Sequence, residues 1–214
     1  MKGVKYGDYH TYDEFSLILT GKNLSTPSVK QYVVQLDGAD GVLDLTEYFG
    51  RINYENRKLT CTFETDLRGQ EYYDTFDDLI NKLQGRTMQI HLDEDPYFYL
   101  EGRIKINEFK SNEKIGKVVI EAECKPYKFE NIITRNEFVV NGTEKEIVLR
   151  NLTRKTEVEI EVITSSNISV EYKDTTYSLG SGNYISDFLL DEGNNVLKIN
   201  GNGTIAFNFR RGKL

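Results

Sequence analysis

The 214-residue sequence contains no tryptophan, only two histidines and only two cysteines, and each shortage argues against a kind of protein. Cys61 lies in phase with Phe63, and Cys124 lies in phase with Ala122, in two stretches where apolar and polar residues alternate. This placement predicts two small core residues on inward strand faces, rather than a disulfide or a reactive thiol. The missing tryptophan argues against a sugar-binding site, because such sites favour the largest aromatic ring.

The two histidines are not accompanied by any motif that uses a histidine or a nucleophile in catalysis. The sequence contains no GxSxG, no HExxH and no CxxC. His91 alternates outward between two apolar residues, and His10 lies in a polar N-terminal stretch, so both are predicted to lie at the surface. A glycosidase needs only two acids, but 34 acidic residues produce accidental pairs and nothing points to a particular one. We therefore expect no enzymatic activity, no cofactor and no metal site.

Long hydrophobic runs and blocks of basic residues are also missing. No apolar run approaches the roughly 18 residues that a membrane-spanning helix needs. The N-terminal stretch MKGVKYGDYHTYDEF lacks the apolar region of a secretory signal, so we expect the chain to be made and folded in a cytoplasm. The net charge is −7, which argues against tight nucleic-acid binding because phosphate neutralisation supplies most of that affinity.

What the sequence does contain is alternation of apolar and polar residues with a period of two, the pattern of half-buried β-strands. Clusters of glycine, asparagine and aspartate separate these stretches and are typical of tight turns. Clear examples are KLTCTFE (58–64), YLEGRIKINEF (99–109), KVVIEAEC (117–124), EVEIEVI (157–163) and GTIAFNFR (203–210). The pattern predicts a mainly β protein.

One segment has helical spacing instead. In QEYYDTFDDLINKLQG (70–85) the apolar residues recur every three or four positions, which predicts an amphipathic helix near 70–84 that covers a sheet. Gly85 is placed to end it. The predicted helix and most of the aromatic residues lie before residue 130. Short predicted strands with tight turns follow. We therefore predict two domains, an N-terminal one over 1–130 and a C-terminal one over 131–214.

The stretch HLDEDPYFYLEGRI (91–104) combines acidic residues, a proline and three aromatic rings. Asp93, Glu94, Asp95 and Pro96 stand between two alternating stretches, where aspartate tolerates turn geometry and proline interrupts a strand, so they predict a hairpin loop. The spacing of a calcium loop is absent. A loop that contacts another protein remains the alternative.

The aromatic run Tyr97-Phe98-Tyr99 follows this loop directly. Strand alternation predicts Phe98 on the core face and both tyrosines on the opposite face. On that face Tyr97 and Tyr99 are cross-strand partners or contacts in an assembly.

Several stretches together resemble one known family, the phage distal tail proteins of siphoviruses, which also occur in prophages of Gram-positive bacteria. The resemblance covers nearly the whole chain and depends on the order and spacing of the stretches rather than on any single motif. These stretches are DGADGVLDLTEYFGRINYENRKLTCTF (37–63), LQGRTMQIHLDEDPYFYLEGRIKINEFKSN (83–112), AECKPYKFE (122–130), EYKDTTYSLGSGNY (171–184) and GNGTIAFNFRRGKL (201–214).

The resemblance implies an N-terminal split-barrel-like β domain with one helix and a C-terminal galectin-like β-sandwich. It further implies a homo-oligomeric ring, usually a hexamer, at the tip of the phage tail. Its expected partners are the tail tube protein, the tail-associated hub protein and, in some members, a receptor-binding protein, with a central channel that passes DNA. An acidic N-terminal domain suits such a channel, since a positive lumen would bind the passing phosphates.

Ring closure requires exposed anchor residues at two different patches of each subunit. The unpatterned segment LTEYFGRINYENR (45–57) supplies Tyr48, Phe49 and Tyr54 as candidates, with Tyr48 and Phe49 favoured for a subunit contact. Local packing over the first sheet is the alternative.

Two functions therefore remain open at this point. The first is a non-enzymatic structural subunit of the virion, as the resemblance implies. The second is a carbohydrate-binding β-sandwich protein that recognises a host surface, with Tyr172, Tyr177 and Tyr184 as the stacking groups.

Overall fold

The structure, a computed structural model, describes residues 3–38, 40–48, 50, 52–111, 116–152 and 154–214, with the side chains of 108–111 and 164–166 left out. The chain forms two compact units, one of Met1–Lys128 with Leu214 and the other of Phe129–Lys213. Strands dominate both units, which confirms the mainly β fold class.

The first unit is built around one antiparallel sheet in the strand order β2-β1-β7-β8-β9-β6-β3. A separate two-stranded ribbon, β4–β5, lies outside it. The strands are β1 (Val4–Tyr6), β2 (Tyr9–His10), β3 (Ile18–Leu24), β4 (Val33–Val34), β5 (Leu43–Asp44), β6 (Arg57–Thr65), β7 (Thr87–Leu92), β8 (Phe98–Ser111) and β9 (Gly116–Cys124).

The core of the first unit follows from strand alternation, because every second residue of a half-buried strand faces inward. In β6 the residues Leu59, Cys61 and Phe63 are fully buried, and they share one apolar cluster with Ile120 of β9 and Val4 of β1. The sheet curls, since strands from its middle and from near its far end contribute to this single core.

Both cysteines are free and buried in that core, as the alternation predicted. Burial raises the pKa of Cys61 to about 11 and that of Cys124 to about 12. Because the thiolate is the reactive form, we expect neither cysteine to act as a nucleophile near neutral pH.

We predict that neither thiol of the folded protein reacts with a thiol reagent near neutral pH and that both react after denaturation. The raised pKa values stabilise the folded state below the ordinary thiol value of 9.0. As pH rises from there through the folded values, the unfolded chain releases these protons first, so stability falls by up to about 3 kcal/mol for Cys61 and about 4 kcal/mol for Cys124. Denaturant titrations between neutral and strongly alkaline pH measure this slope, which Cys61→Ala should reduce. Rapid labelling of the folded protein would contradict the assignment.

The helix α2 spans Gly69–Leu83, which confirms the helix predicted near 70–84. Its residues Tyr72, Leu79 and Leu83 are buried, and Gly85 follows with a positive φ of 75°, a conformation that glycine adopts without strain. The shorter helix α1 (Thr11–Phe15) was not predicted. Five residues give too little periodicity to detect, although buried Phe15 anchors the helix in the core.

The second unit is one six-stranded antiparallel sheet that folds back on itself. Its two longest strands, β13 and β16, each run through both halves of the folded sheet. Near one end they pair with β15 and β11, and near the other with β14 and β12. The six strands of this sheet are β11 (Thr134–Asn141), β12 (Lys145–Asn151), β13 (Thr156–Tyr172), β14 (Thr175–Leu179), β15 (Gly182–Leu190) and β16 (Gly193–Phe209). Two short strands outside this sheet pair with each other, β10 (Lys128–Glu130), whose first residue belongs to the first unit, and β17 (Gly212–Lys213).

Both long strands change register between the halves, at Val162/Thr164 and Ser166/Ile168 of β13. Opposite them, Gly201 has φ 126°, and a Cβ there would lie 2.6 Å from the Asn167 carbonyl oxygen. This close approach requires glycine and allows β16 to bend. The two halves thereby enclose one apolar core, to which Val158 and Val170 contribute from opposite ends of β13.

Candidate assembly surfaces

The acidic stretch Asp93–Pro96 forms the loop of the β7–β8 hairpin, as predicted. The Asp95 N–H donates to the Leu92 carbonyl over 2.9 Å, and the Phe98 N–H donates to the Asp95 carbonyl over 3.2 Å. Two successive tight turns therefore reverse the chain.

Each acid of this loop is bound to a different part of the first unit. The Asp93 carboxylate accepts from the Gly3 N–H over 2.6 Å and lies 3.3 Å from His10 Nε2. Glu94 pairs with Lys22 of β3, and Asp95 pairs with Lys128 Nζ over 2.5 Å. Within the described ranges, no group of three or more His, Cys, Asp or Glu residues could hold a metal ion. The loop therefore bonds to the residue before β1, to β3 and to Lys128, three parts of the first unit that are distant along the chain.

We predict that Asp93→Ala lowers the free energy of unfolding by about 1 to 2 kcal/mol, since it removes a charge-assisted hydrogen bond to a part-buried backbone N–H. Denaturant titration of the full chain measures the change. Asp187→Ala, at an exposed acid of β15, is the control and should leave stability within about 0.5 kcal/mol. Equal losses of stability from the two substitutions would show that the bonds of Asp93 do not stabilise the fold.

The structure corrects the prediction for the aromatic run after the loop. Tyr99 stands opposite His91 in the strand pair, with the two rings 5.5 Å apart, so it is the cross-strand partner that was one of its two predicted roles. It is buried and therefore not available as an assembly contact. Phe98, predicted as core, is only half-buried and lies 4.5 Å from Lys128 Nζ. Phe98 lies on the same face as Leu100, but as the first residue of β8 it lies beyond the edge of the apolar core that contains Leu100. Tyr97 is 74% exposed and stays a candidate.

Residues 25–56, here called the arm, connect β3 to β6 and contain the β4–β5 ribbon. The ribbon consists of two residue pairs, Val33 with Asp44 and Val34 with Leu43. Apolar side chains along the arm face solvent instead of a core, Val42 being 59% exposed. The exposed apolar residues of the arm are Val29, Tyr32, Val33, Val34, Leu36, Val42, Leu43, Tyr48 and Ile52.

The two ends of the arm meet at its root. The Lys30 N–H donates to the Asn53 carbonyl, and the Glu55 N–H donates to the Ser28 carbonyl, each over 2.8 Å. Tyr54 lies here as well, with its ring 6.1 Å from that of Tyr127 in an edge-to-face arrangement. The arm is therefore held at the root, whereas its distal part presents apolar residues outward.

The three residues proposed for a subunit contact differ in their surroundings. Tyr48 is 75% exposed on the arm and remains a candidate. Tyr54 packs locally at the root, which was the alternative reading, and Phe49 lies outside the described residues. Sequence reasoning missed the apolar positions nearer the tip, although the turn-forming stretch DGADG between VV and VL was a signal for a short hairpin.

The tyrosines proposed as sugar-stacking groups in the second unit are not on an open face. Tyr172 is buried, with its hydroxyl donating to Asn195 Oδ1 over 2.7 Å. Tyr177 is half-buried with its ring 5.4 Å from Phe188, and Tyr184 donates its hydroxyl to the Gly180 carbonyl. All three pack in or against the apolar core, so the proposed stacking platform is wrong.

A cavity of about 540 Å³ lies in the first unit beside the acidic loop. Arg57, the first residue of β6, borders it and is only 5% exposed. Sequence reasoning missed this residue, although in RKLTCTFE it stands in phase with the inward-facing Leu59 and Cys61. A charged side chain at a core position was the available signal.

Within the part of the chain that the structure describes, no helix has the length and hydrophobicity that a bilayer span requires.

Comparisons with known proteins identify the fold. No protein-family model matches the chain, and no curated protein does. Among solved structures, the Dit (gp 19.1) protein of phage SPP1 matches over 100% of both chains, with a TM-score of 0.72 and 15% sequence identity. The chain has the Dit fold. At this identity the likeness establishes the fold alone.

The SPP1 protein is described as a paradigm of the hub adsorption apparatus in phages that infect Gram-positive bacteria. A chain of the phage P2 baseplate, in its activated conformation with Ca, also matches over 99% of this chain and 98% of its own length. Its TM-score of 0.43 at 9% identity is too low to establish a common fold.

Proposed function

We propose that this protein is a structural subunit of a phage tail tip, a distal tail protein that forms a ring between the tail tube and the baseplate hub. In this role it performs no catalysis, and its central opening lets DNA pass. The observation that supports the proposal most is the Dit fold over the whole chain, together with an arm whose apolar residues have no core of their own.

The arm supports self-association on physical grounds. A two-stranded ribbon is at best marginally stable in water unless its apolar face packs on something else. A large apolar patch on a monomer commonly marks an interaction site. An arm of one subunit that lies on a different patch of the next makes a head-to-tail contact, and head-to-tail contacts close into rings when the rotation allows. We expect six copies, as in the family that the sequence resembles.

The remaining partners follow from the same role. One face of the ring would contact the tail tube protein and the other the hub protein, while the second unit could carry a receptor-binding protein. The net charge of −7 is compatible with DNA passing through without being held. The protein would be made in the host cytoplasm and be found in the virion.

The test is the mass of the purified protein measured by light scattering over a wide concentration range, with electron microscopy of the largest species. The proposal predicts a discrete assembly of six 24.7 kDa subunits with an open centre. A second sample, co-expressed with the tail tube protein of the same genome, covers the case in which the tube is needed for closure. Monomers in both samples would contradict the proposed ring.

A further inference from the structure

Asparagine is followed directly by glycine at three positions of the second unit, Asn141, Asn200 and Asn202. Such a pair can modify itself, because a glycine nitrogen is not shielded by a side chain. The glycine N–H loses its proton, and the nitrogen forms a bond to the asparagine Cγ. The bond from Cγ to Nδ2 breaks, and Nδ2 takes up a proton from solvent and leaves as ammonia. Water then opens the resulting cyclic imide at either carbonyl, which yields aspartate or isoaspartate.

Asn200 and Gly201 lie where β16 changes its partner on one side. β16 pairs with β12 up to Ile199 and with β11 from Asn202 onward. In the strand pairs that the structure describes, neither Asn200 nor Gly201 stands opposite a residue of β11 or β12. The Gly201 N–H instead donates to Oδ1 of the preceding Asn200 side chain, over 2.8 Å. An asparagine side chain that bonds to a neighbouring backbone group in this way replaces a missing ladder bond.

The two groups that would react are therefore already in contact at this pair. Oδ1 is bonded to Cγ, so a small rotation of the Asn200 side chain brings Cγ against the Gly201 nitrogen. Groups held in this way lose less conformational freedom on reaching the geometry of bond formation, and the reaction is faster. Asn200 is also exposed, so water and hydroxide reach it.

The other two glycine nitrogens are held in a different way. The Gly142 N–H donates to the Gly201 carbonyl over 2.7 Å, and this bond must break before the nitrogen can attack Asn141. Gly203 stands in register between two strands, opposite Val140 of β11 and Ser165 of β13. Pairing on both sides keeps the backbone at Gly203 extended and its nitrogen away from the Asn202 side chain.

We propose that Asn200 is the site at which the folded protein deamidates spontaneously, ahead of Asn141 and Asn202. The product has a carboxylate in place of the amide, and its isoaspartate form lengthens the backbone by one carbon atom. The bend of β16 has no room for this atom, since even a Cβ on Gly201 would lie 2.6 Å from the Asn167 carbonyl oxygen. Isoaspartate at 200 therefore lowers the stability of the second unit. The reaction does not depend on the proposed ring.

The test is to age the full-length natural protein in mildly alkaline buffer and to locate the products by tandem mass spectrometry of proteolytic peptides. A parallel sample is aged in concentrated urea, where the fold no longer distinguishes the three pairs. In the folded protein we expect the product at Asn200 to form at least ~10-fold faster than that at Asn141 or Asn202. In urea the three rates should become similar.

Two variants serve as matched controls. Asn200→Ser should remove the main product and leave the slow products at Asn141 and Asn202 unchanged. Asn200→Asp has the new charge without the additional backbone atom. The isoaspartate fraction of the aged protein, purified by ion exchange, should therefore unfold at a lower denaturant concentration than Asn200→Asp.

Three results would overturn the site. These are equal rates at the three asparagines of the folded protein, a faster reaction at Asn141 or Asn202, and a reaction that occurs only in urea. An isoaspartate fraction as stable as Asn200→Asp would overturn the effect on the bend. All of these readings come from the natural protein or its aged product, so they stand even where Asn200→Ser fails to fold.

Discussion

Removing the arm is expected to convert the assembled protein into monomers while both units remain folded. The arm contributes only a two-pair ribbon to the secondary structure, and its apolar residues are exposed rather than part of either core. Its loss therefore removes surface for association but little that stabilises the fold. Light scattering gives the mass, and circular dichroism with thermal unfolding reports the fold.

The deletion can be made at the root of the arm, where its two ends are already joined by hydrogen bonds. Ser28 and Glu55 are joined by a backbone hydrogen bond at the root, so residues 29–54 can be replaced by a short glycine-containing turn. A milder variant, Leu43→Asp, places a charge on the apolar ribbon and should weaken association by at least ~10-fold. Ile185→Asp, at a residue that is 75% exposed in the second unit, is the matched control. An arm-deleted protein that still forms the full assembly would show that the arm is not the joining element.

The second large effect is expected at Asn195, where Asn195→Ala should lower the free energy of unfolding by about 3 kcal/mol or more. This buried amide is hydrogen-bonded to four other residues. Its Nδ2 donates to the carbonyls of Leu149, Asp191 and Gly193, over 3.3, 2.9 and 3.4 Å. Its Oδ1 accepts from the Tyr172 hydroxyl over 2.7 Å and from the Asp191 N–H over 2.8 Å. Alanine removes all five of these hydrogen bonds.

Denaturant titration of the full chain measures this change, with Asn194→Ala as the control because that residue is exposed one position earlier on the same strand. Tyr172→Phe removes one hydrogen bond from the network and should lower stability by about 1 kcal/mol. An Asn195→Ala protein within about 0.5 kcal/mol of the natural one would mean that the network does not hold the second unit together.

Sequence patterns predicted the fold correctly where the buried residues repeat with the period of the strand or helix that they form. Leu59, Cys61 and Phe63 alternate with polar residues and are buried, and the apolar residues of 70–84 have helical spacing and form α2. The hairpin at Asp93–Pro96 was predicted from turn chemistry alone. The short helix α1 was missed because five residues carry almost no periodic signal.

The surfaces were predicted less well, because alternation along a strand does not say which distant part of the same chain covers each face. Tyr99 keeps the strand position that alternation predicts, opposite His91, but it is buried there. Tyr172 is buried because its hydroxyl donates to Asn195 inside the second unit. The sequence predicted the acidic loop as a turn but not its bonds to Gly3, Lys22 and Lys128, which are distant along the chain. The arm lacks any periodic pattern that would mark its role.

The central claim, that the arms join copies of this chain into a ring around an open channel, is tested most directly by electron cryomicroscopy of the assembled protein. The account predicts a closed ring in which each arm, including Tyr48, is buried against the neighbouring subunit and the centre admits double-stranded DNA. An assembly with the arms still in solvent, a closed centre or an open-ended filament would contradict it.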